Sequence, residues 1–220
     1  MATADRRQRH RASLRREILD AASQLFVEEG YRRLTMRRLA ERIEYSPTTI
    51  YLYFRDKNEL LAAVCEETFA QLAAKLERLK NSAPTPLALL REGLRTYVEF
   101  GLAHPNQYIV TFISPNPGQI RPEFETSAGG RAFDTLRQSV GACAETGDIH
   151  TASVEATAQA LWAAVHGITS LFITEKGFPF GARQALVDHL IDTLLAGLKA
   201  PVASARPAVQ PQSKKWNYFD

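Results

Sequence analysis

Residues 35–61 contain three helix-start signals in close succession, and this stretch constrains the fold more than any other part of the chain. Thr35 can cap a first helix because its side-chain oxygen accepts an orphan backbone N–H. Ser46 followed by Pro47 starts a second helix, since proline at the first helical position loses no needed donor. Asp56, with Glu59 three residues later, forms a variant of the capping box for a third. The spacing predicts short helices that meet at sharp angles.

The first two of these helices have apolar faces that fit each other. The first shows Met36, Leu39, Ala40 and Ile43 at three- and four-residue spacing, and the second, which is predicted to end at about Tyr53, shows Ile50 with either Tyr53 or Phe54. Two helices joined by so short a turn are the arrangement that places a second helix in the major groove of DNA. The alternative interpretation is an ordinary helical hairpin.

The positive charge of the chain is concentrated at its start. The net charge is +3, whereas residues 1–60 alone hold 13 Lys and Arg against 9 Asp and Glu. Residues 1–12 show no apolar periodicity, which predicts a mobile basic arm that neutralises phosphates and becomes ordered on DNA. Helix is then predicted from about residue 13 to residue 29, where charges interrupt the apolar positions, so that it is no signal peptide. The arginines at this end are Arg6, Arg7, Arg9, Arg11, Arg15 and Arg16.

The remaining chain reads as helices separated by loops, without a strand, which predicts an all-α fold. A long helix over about 59–80 connects the N-terminal module to the rest, and a loop is expected at 114–127, after which Gly129-Gly130 interrupts the start of the next helix. Three domains are predicted: a basic arm with the DNA-binding module (1–60), a helical ligand-binding and dimerisation domain (61–200) and a disordered tail (201–220). The predicted helices of the second domain cover about 87–103, 133–145, 154–174 and 183–199.

Several classes of function lack the residues that they need. The sequence has no Gly-rich phosphate loop, no nucleophile elbow and no His-Glu-x-x-His, so we expect no enzyme and no cofactor. No window approaches 18 uninterrupted apolar residues, so we expect a cytoplasmic protein that does not span a membrane. Cys65 and Cys143 are expected to be buried, reduced thiols. A metal site is not expected, because His104, His150, His166 and His189 lack ligand spacing.

The segment Tyr51-Leu52-Tyr53-Phe54-Arg55-Asp56-Lys57-Asn58-Glu59-Leu60-Leu61 strongly resembles the tetracycline-repressor (TetR) family of bacterial transcription regulators, and the similarity extends over residues 13–61. Trp162, His166 and Gly167 resemble a Trp and His-Gly signature that a subset of that family carries in the C-terminal domain. The resemblance implies an all-helical homodimer of about nine helices, with an N-terminal helix-turn-helix domain for a palindromic operator and a C-terminal domain for dimerisation and a small-molecule effector. The chain departs from the family pattern at Glu44, where glycine is usual, so a positive φ at this residue would be strained.

The resemblance also assigns roles on the DNA. It implies that phosphates are contacted by Thr35, Ser46, Tyr51, Tyr53 and Lys57, and that base edges are approached by Arg37, Pro47, Thr48 and Thr49. The second helix has no Lys or Arg, so a bidentate guanine contact would have to come from Arg37 or Arg38 on the helix before it. The alternative for these two arginines is a solvated helix face that adds only general charge.

Trp162 and His166 share one helix face because they are four residues apart. They form either a hydrogen-bonded core pair or one wall of an effector pocket for a neutral, aromatic or acyl molecule. The aromatic residues proposed to complete that pocket are Phe69, Tyr97, Tyr108, Phe112 and Phe133. The helices predicted from about Val154 and Arg183 carry more apolar surface than one small domain requires, so we expect them to form a two-fold interface, with Leu194 in its seam. Close approach would be allowed by Ala156, Ala160, Ala163 and Gly167. The prediction is a repressor that its ligand releases from DNA; the alternative is a helical ligand-binding protein or enzyme with an incidental basic N-terminus.

Overall fold

The computed structural model describes residues 2–80, 82–113 and 126–199, and all the regular structure in these ranges is helical. The predicted all-α fold is therefore confirmed. After α6 the chain continues as a π-helical turn over Ile109–Ile113. The helices are α1 (Ala2–Glu29), α2 (Met36–Arg42), α3 (Pro47–Tyr51), α4 (Lys57–Lys80), α5 (Pro86–Ala103), α6 (Pro105–Tyr108), α7 (Ala128–Glu145), α8 (Val154–Thr174) and α9 (Arg183–Lys199).

The three predicted helix starts are confirmed. The Thr35 hydroxyl oxygen accepts from the backbone N–H of Arg38 at 3.2 Å, and Ser46 accepts from that of Thr49 at 3.2 Å. Each of these bonds satisfies one orphan donor of a short helix. The Asp56 carboxylate accepts from the N–H groups of Asn58 and Glu59 at 2.8 and 2.9 Å, and the Glu59 carboxylate accepts in return from the N–H of Arg55 at 2.7 Å.

The prediction of a mobile arm over residues 1–12 is wrong, because α1 already begins at Ala2. The prediction relied on apolar periodicity, which this stretch lacks. Helix propensity and local charge pairs operate without such periodicity: arginine, glutamine and alanine are good helix formers, and no proline or glycine occurs before Gly30. Asp5 lies in the first turn, where the helix dipole favours a carboxylate, and it pairs with Arg9 one turn later at 3.5 Å.

Two other boundaries differ from the predictions. Helix α3 ends at Tyr51 rather than Tyr53, because the chain turns inward to bury Phe54. Helix α7 begins at Ala128, so Gly129-Gly130 lies inside the helix instead of interrupting it. A side chain at Gly129 would stand 3.3 Å from the ring of Phe69, so glycine permits this close packing. Most of the predicted loop at 114–127 and the predicted tail lie outside the described residues.

The buried side chains form two apolar clusters. The N-terminal core is built by α1, α2, α3 and the first turns of α4, with Ile18, Leu39, Ile50 and Leu60 fully buried in it. The C-terminal core is built by the rest of α4 together with α5, α7, α8 and α9. The predicted domain boundaries at 60/61 and 200/201 stay predictions. Helix α4 contributes to both clusters, as the sequence predicted for a connecting helix.

Val110 joins the two cores in a way that the sequence did not predict. Its side chain is fully buried in the N-terminal core, although Tyr108 two residues earlier belongs to the C-terminal core. Residues two apart on a helix face in nearly opposite directions, so a single turn can serve both clusters. The Cys65 thiol donates a long bond of 4.0 Å to the Val110 carbonyl, and Gln107 donates to Asp20 of α1 at 3.0 Å.

Helix α8 is the most apolar of the helices. By length and composition it could cross a membrane, a property that it shares with core helices of soluble proteins. The prediction that no segment spans a membrane therefore stays a prediction. Its outward-facing positions include the exposed Ala160, Ala163 and Leu171, so part of its apolar surface is uncovered in the single chain.

Glu44 adopts a φ of +59°, as the departure from glycine at this turn had indicated. A side chain in the left-handed region costs roughly 1–2 kcal/mol of folding free energy. Replacement by glycine removes this strain, but it also raises the conformational entropy of the unfolded chain, which offsets part of the gain in stability. We therefore expect Glu44→Gly to raise the free energy of unfolding by up to about 1 kcal/mol in urea denaturation. Glu41→Gly, within α2, is the control and should lower it by about 1 kcal/mol. Equal effects of the two changes would contradict the strain.

Candidate functional site

Helix α3 displays one side to solvent and packs with the other. Its buried side carries Ile50, with Phe54 beyond its end, so Phe54 rather than Tyr53 completes the predicted apolar face. The outward side carries Thr48 and Tyr51, and the Tyr51 side chain is 55% exposed. A short helix held from behind with polar groups in front has the form of a groove-reading element. Pro47 is exposed at its start, and Thr49, half-buried, shares a hydrogen bond of 2.9 Å with the Ser46 hydroxyl.

The two adjacent arginines of α2 have different surroundings. Arg38 donates to the carboxylate of Glu29 at the end of α1 at 2.8 Å, so its guanidinium is directed back toward the N-terminal core. Arg37 is 82% exposed and, within the part of the chain that the structure describes, pairs only with Glu41 on its own helix at 3.2 Å. Exposed pairs of this kind are worth under about 1 kcal/mol and are readily exchanged for another anion or acceptor. Arg37 is therefore the freer of the two predicted base-reading arginines.

Lys57 is held against Tyr31 in the free protein. Its ammonium group lies 3.8 Å from the centroid of the Tyr31 ring and donates to the Tyr31 carbonyl at 3.1 Å. The Tyr31 hydroxyl in turn donates to Asn58 at 2.7 Å. The half-buried Tyr53 lies beneath the guanidinium of Arg11 at 5.8 Å. Lys57 and Tyr53, two of the residues predicted to contact phosphates, thus lie at the start of α4 and beside α1, next to the exposed side of α3.

The seven residues predicted for a ligand site form one cluster in the C-terminal core. Phe112 is central to it: its ring centroid lies 5.3 Å from Phe69, 4.8 Å from Tyr108, 5.0 Å from His166 and 6.4 Å from Trp162. Phe133 joins through Trp162 at 6.2 Å, and Tyr97 joins through Tyr108 at 6.4 Å. Helices α4, α5, α6, α7 and α8 and the π-helical turn each supply at least one of these rings.

Hydrogen bonds connect the polar atoms of this cluster. The Tyr108 hydroxyl lies 2.6 Å from Nδ1 of His166, and the Tyr97 hydroxyl lies 3.1 Å from the same nitrogen. Trp162 donates from its indole N–H to the Tyr97 oxygen at 3.3 Å. Such internal partners offset the cost of burying hydroxyl, imidazole and indole groups. The core-pair interpretation of Trp162 and His166 and the pocket-wall interpretation thus describe the same atoms.

Burial determines the charge state of the cluster. It raises the pKa of the Tyr108 hydroxyl, with the neighbouring Tyr97 acting in the same direction, so this phenol stays protonated. It lowers the pKa of His166, so the imidazole is neutral at pH 7. The site therefore presents neutral polar atoms within an aromatic surrounding. Across the described ranges, no three His, Cys, Asp or Glu side chains are grouped so that they could hold a metal.

Gly101 and Thr169 were missed by sequence reasoning although they position the cluster. A side chain at Gly101 would come 2.5 Å from the Thr169 methyl carbon and 3.0 Å from the Tyr108 ring, so glycine allows α5 and α8 to cross closely there. The only signal in the sequence was a glycine inside an amphipathic helix. Its closeness to Thr169 depends on how two distant helices pack and could not be read from spacing.

Two family profiles match the chain. Residues 18–64 match the profile described as "Bacterial regulatory proteins, tetR family". Residues 90–194 match the profile described as "Tetracyclin repressor-like, C-terminal domain". The first covers α1 from Ile18 onward, α2, α3 and the start of α4, and the second covers most of the helices that build the aromatic cluster. The finer resemblance to a subset with a Trp and His-Gly signature stays a prediction.

The chain is similar to a bacterial transcriptional repressor and to several proteins of solved structure. The HTH-type transcriptional repressor Rv1474c of Mycobacterium tuberculosis is 36% identical over 99 residues, which span 45% of this chain and 46% of the relative, less than half of either. A Rhodococcus protein of unknown function superposes with a TM-score of 0.67 at 26% identity, over 85% of this chain and 96% of that one. FadR of Bacillus subtilis, solved in complex with stearoyl-CoA, gives 0.68 at 20% identity over 82% and 97%, which shows a shared fold.

The lowered pKa of His166 predicts how stability changes with pH. The folded protein binds this proton less readily than the unfolded chain, whose histidine has a pKa of 6.5. The contribution of neutral His166 is thus complete above pH 6.5 and is lost as the pH falls toward the folded pKa. We expect His166→Gln to reduce the loss of unfolding free energy between pH 7.5 and 5.5.

His104 is the matched control, because burial also lowers its pKa while it lies outside the hydrogen-bonded cluster. His104→Gln should keep the part of the pH dependence of the unfolding free energy that comes from His166. The same pH dependence in His166→Gln and wild type, measured by urea denaturation, would contradict a neutral buried imidazole.

Proposed function

The chain belongs to the TetR family of bacterial regulatory proteins, and we propose that it is a transcription regulator that binds operator DNA as a homodimer and leaves it when a small apolar molecule enters the aromatic cluster. The observation that carries the DNA part is the outward side of α3, where Thr48 and Tyr51 are exposed above the buried Ile50. The regulated gene would be repressed while the ligand is absent.

On the operator, phosphate contacts would fix the register and base contacts would select the sequence. The Thr35 hydroxyl accepts from a backbone N–H, which leaves its hydrogen available to donate to a phosphate. The Ser46 hydroxyl also accepts from a backbone N–H, and its hydrogen would donate to a phosphate when Thr49 acts as the donor in the bond that the two hydroxyls share. Tyr51 and Lys57 flank the same surface. Helix α3 has no cation of its own, so Thr48 and Pro47 would contact thymine methyl groups while Arg37 approaches a base from α2.

A second copy of the chain would cover the exposed face of α8. Ala156, Ala160, Ala163, Gly167 and Leu171 recur at three- and four-residue spacing along it, and a side chain at Gly167 would meet nothing within 4 Å. Small residues allow two helices to approach closely, and a two-fold axis would bring this stripe against its own copy. The homodimer would present two α3 helices to the two halves of a palindromic operator.

The ligand would act by separating aromatic rings that touch one another in the free chain. An apolar surrounding with a neutral histidine and two tyrosine hydroxyls suits an acyl or aromatic molecule with few polar atoms. That FadR of Bacillus subtilis has been solved with stearoyl-CoA supports an acyl ligand for this fold. Phe112 belongs to the turn that carries Val110, so moving its ring would shift a side chain of the N-terminal core.

The change in DNA affinity then follows from linkage. A ligand can shift a conformational equilibrium only by the difference between its affinities for the two states. The free state keeps Val110 seated in the N-terminal core with Gln107 bonded to Asp20. In the proposed mechanism the displaced turn lowers the affinity for DNA. A ligand that binds better to this displaced state would then weaken operator binding, and operator DNA would weaken ligand binding by the same factor.

Arg37 and Arg38 provide the first test, since they are adjacent and equal in charge. Arg37→Ala should relax the sequence preference, costing about 1–3 kcal/mol of discrimination if a base contact is lost. Arg38→Ala should leave the preference unchanged, because its guanidinium is paired with Glu29. The measurement is enrichment of duplexes from a random pool by each full-length variant. An unchanged preference in Arg37→Ala would remove it from the reading surface.

The homodimer is tested by a charge on the exposed stripe. Ala163→Glu should produce monomers in sedimentation velocity, because each buried carboxylate at a two-fold interface would face its own copy. The charge is placed at Ala163 of α8 and not at Leu194 of α9, the other helix predicted for the interface, because Leu194 packs against the C-terminal core of its own chain. Ala74→Glu on the exposed side of α4 is the matched control and should remain dimeric. A dimeric Ala163→Glu protein would place the interface elsewhere.

The ligand site is tested at Trp162 with a series of acyl-CoA thioesters that includes stearoyl-CoA. At least one of them should lower the DNA affinity of the wild type tenfold or more, and Trp162→Ala should reduce that effect while nearly preserving the affinity without ligand. Trp162→Phe keeps a ring against Phe112 but removes the N–H donated to Tyr97, so it should retain most of the response. A full response in Trp162→Ala would assign the residue to packing alone.

A further inference from the structure

The first turns of α1 extend beyond the N-terminal core. The first side chain of this helix to be buried is Leu14, whereas residues 5–13 are all exposed. From Ala2 to Ser13 the helix therefore projects by roughly 18 Å, at 1.5 Å per residue. The projection is strongly basic, because Asp5 is the only acid before Glu17.

The arginines of this projection lie on two faces. Arg7 and Arg11 are one turn apart and continue the face of Leu14 and Ile18, which points toward α3 and α4. The guanidinium of Arg11 lies 5.8 Å from the centroid of the Tyr53 ring, so this face reaches the chain just after α3. Arg6 and Arg9, together with Arg16 beyond the projection, lie on the other side of the helix.

Arg15 continues the first face but is engaged in the fold. It pairs with Glu67 of α4 at 2.7 Å and lies 5.5 Å from the centroid of the Phe54 ring. Among the described residues, Arg7 and Arg11 have no carboxylate within ion-pair distance, whereas Arg9 of the opposite face pairs with Asp5 at 3.5 Å. Unneutralised charge is thus found on the side of the projection that adjoins α3, and among the described residues Arg6 and Arg16 on the other side also have no carboxylate within that distance. What distinguishes Arg7 and Arg11 is therefore their position beside α3.

We propose that Arg7 and Arg11 bind the phosphates of duplex DNA that flanks the half-site contacted by α3, an inference that rests on the proposed function. A duplex seated on α3 passes Tyr53 and then this projecting face. One turn of helix separates the two arginines by about 6 Å, and each DNA strand carries one charge per about 3.4 Å of its axis, so two successive contacts on one strand are within reach. The contacts add affinity without reading sequence.

The experiment compares full-length variants on a duplex enriched from a random pool by the wild type, with long flanks on both sides of the enriched sequence. Arg7→Gln/Arg11→Gln should lower the slope of log affinity against log salt by about 1.8 per protomer, since each phosphate contact contributes about 0.9. Arg9→Gln/Arg16→Gln removes equal charge from the opposite face and should change the slope much less. Arg7→Lys/Arg11→Lys retains the charges and should keep the wild-type slope.

Shortening the flanks supplies an independent reading. It should lower the affinity of the wild type until it equals that of Arg7→Gln/Arg11→Gln, which should not respond to flank length. Equal losses in both glutamine variants would show that only net charge matters and would overturn the proposal, as would an unchanged slope in the Arg7 and Arg11 variant. A wild type that enriches no sequence would overturn the proposed function itself, whereas normal enrichment with unaffected variants would overturn this inference alone.

Discussion

The burial of Val110 in the N-terminal core is the contact on which the relation between the two halves of the chain depends. The turn that carries it also contributes Phe112 to the aromatic cluster, while Tyr108 immediately precedes it. Because a close-packed interior does not deform continuously, we expect displacement of these rings to move Val110 as well, a side chain that packs in the N-terminal core. Helix α4 provides a second connection, since its first turns lie in one core and its later turns in the other.

The polar groups of the aromatic cluster are hydrogen-bonded to one another, and this determines what a ligand would have to replace under the proposed function. These bonds join the hydroxyl, imidazole and indole groups of the cluster. In the ligand-free chain these buried polar groups therefore already have partners, which offsets the cost of burying them. A ligand that parts the rings must replace these contacts or leave buried polar atoms unpaired, at about 1–3 kcal/mol each. Selectivity would then come from how well the polar atoms of the ligand substitute for Tyr97 and Tyr108, and apolar area would supply most of the binding energy.

Sequence reasoning succeeded where the deciding signal was local. The caps at Thr35, Ser46 and Asp56 are set by side chains that bond to backbone within three residues, and the strained φ at Glu44 follows from the same turn. It failed where packing or charge decided. No apolar periodicity indicates that α1 starts at Ala2. The different surroundings of Arg37 and Arg38 depend on Glu29, which is brought near Arg38 only by the fold.

We propose that this chain reads DNA as a two-fold dimer through α3. The most direct measurement is enrichment of duplexes from a fully random pool by the purified full-length protein, followed by sequencing and a salt titration of the enriched duplex. We expect an inverted repeat whose half-sites lie about one helical turn, or a multiple of it, apart, bound with a steep salt dependence. Enrichment of no sequence, together with a shallow salt dependence, would contradict it and would favour a helical ligand-binding protein whose basic N-terminus is incidental.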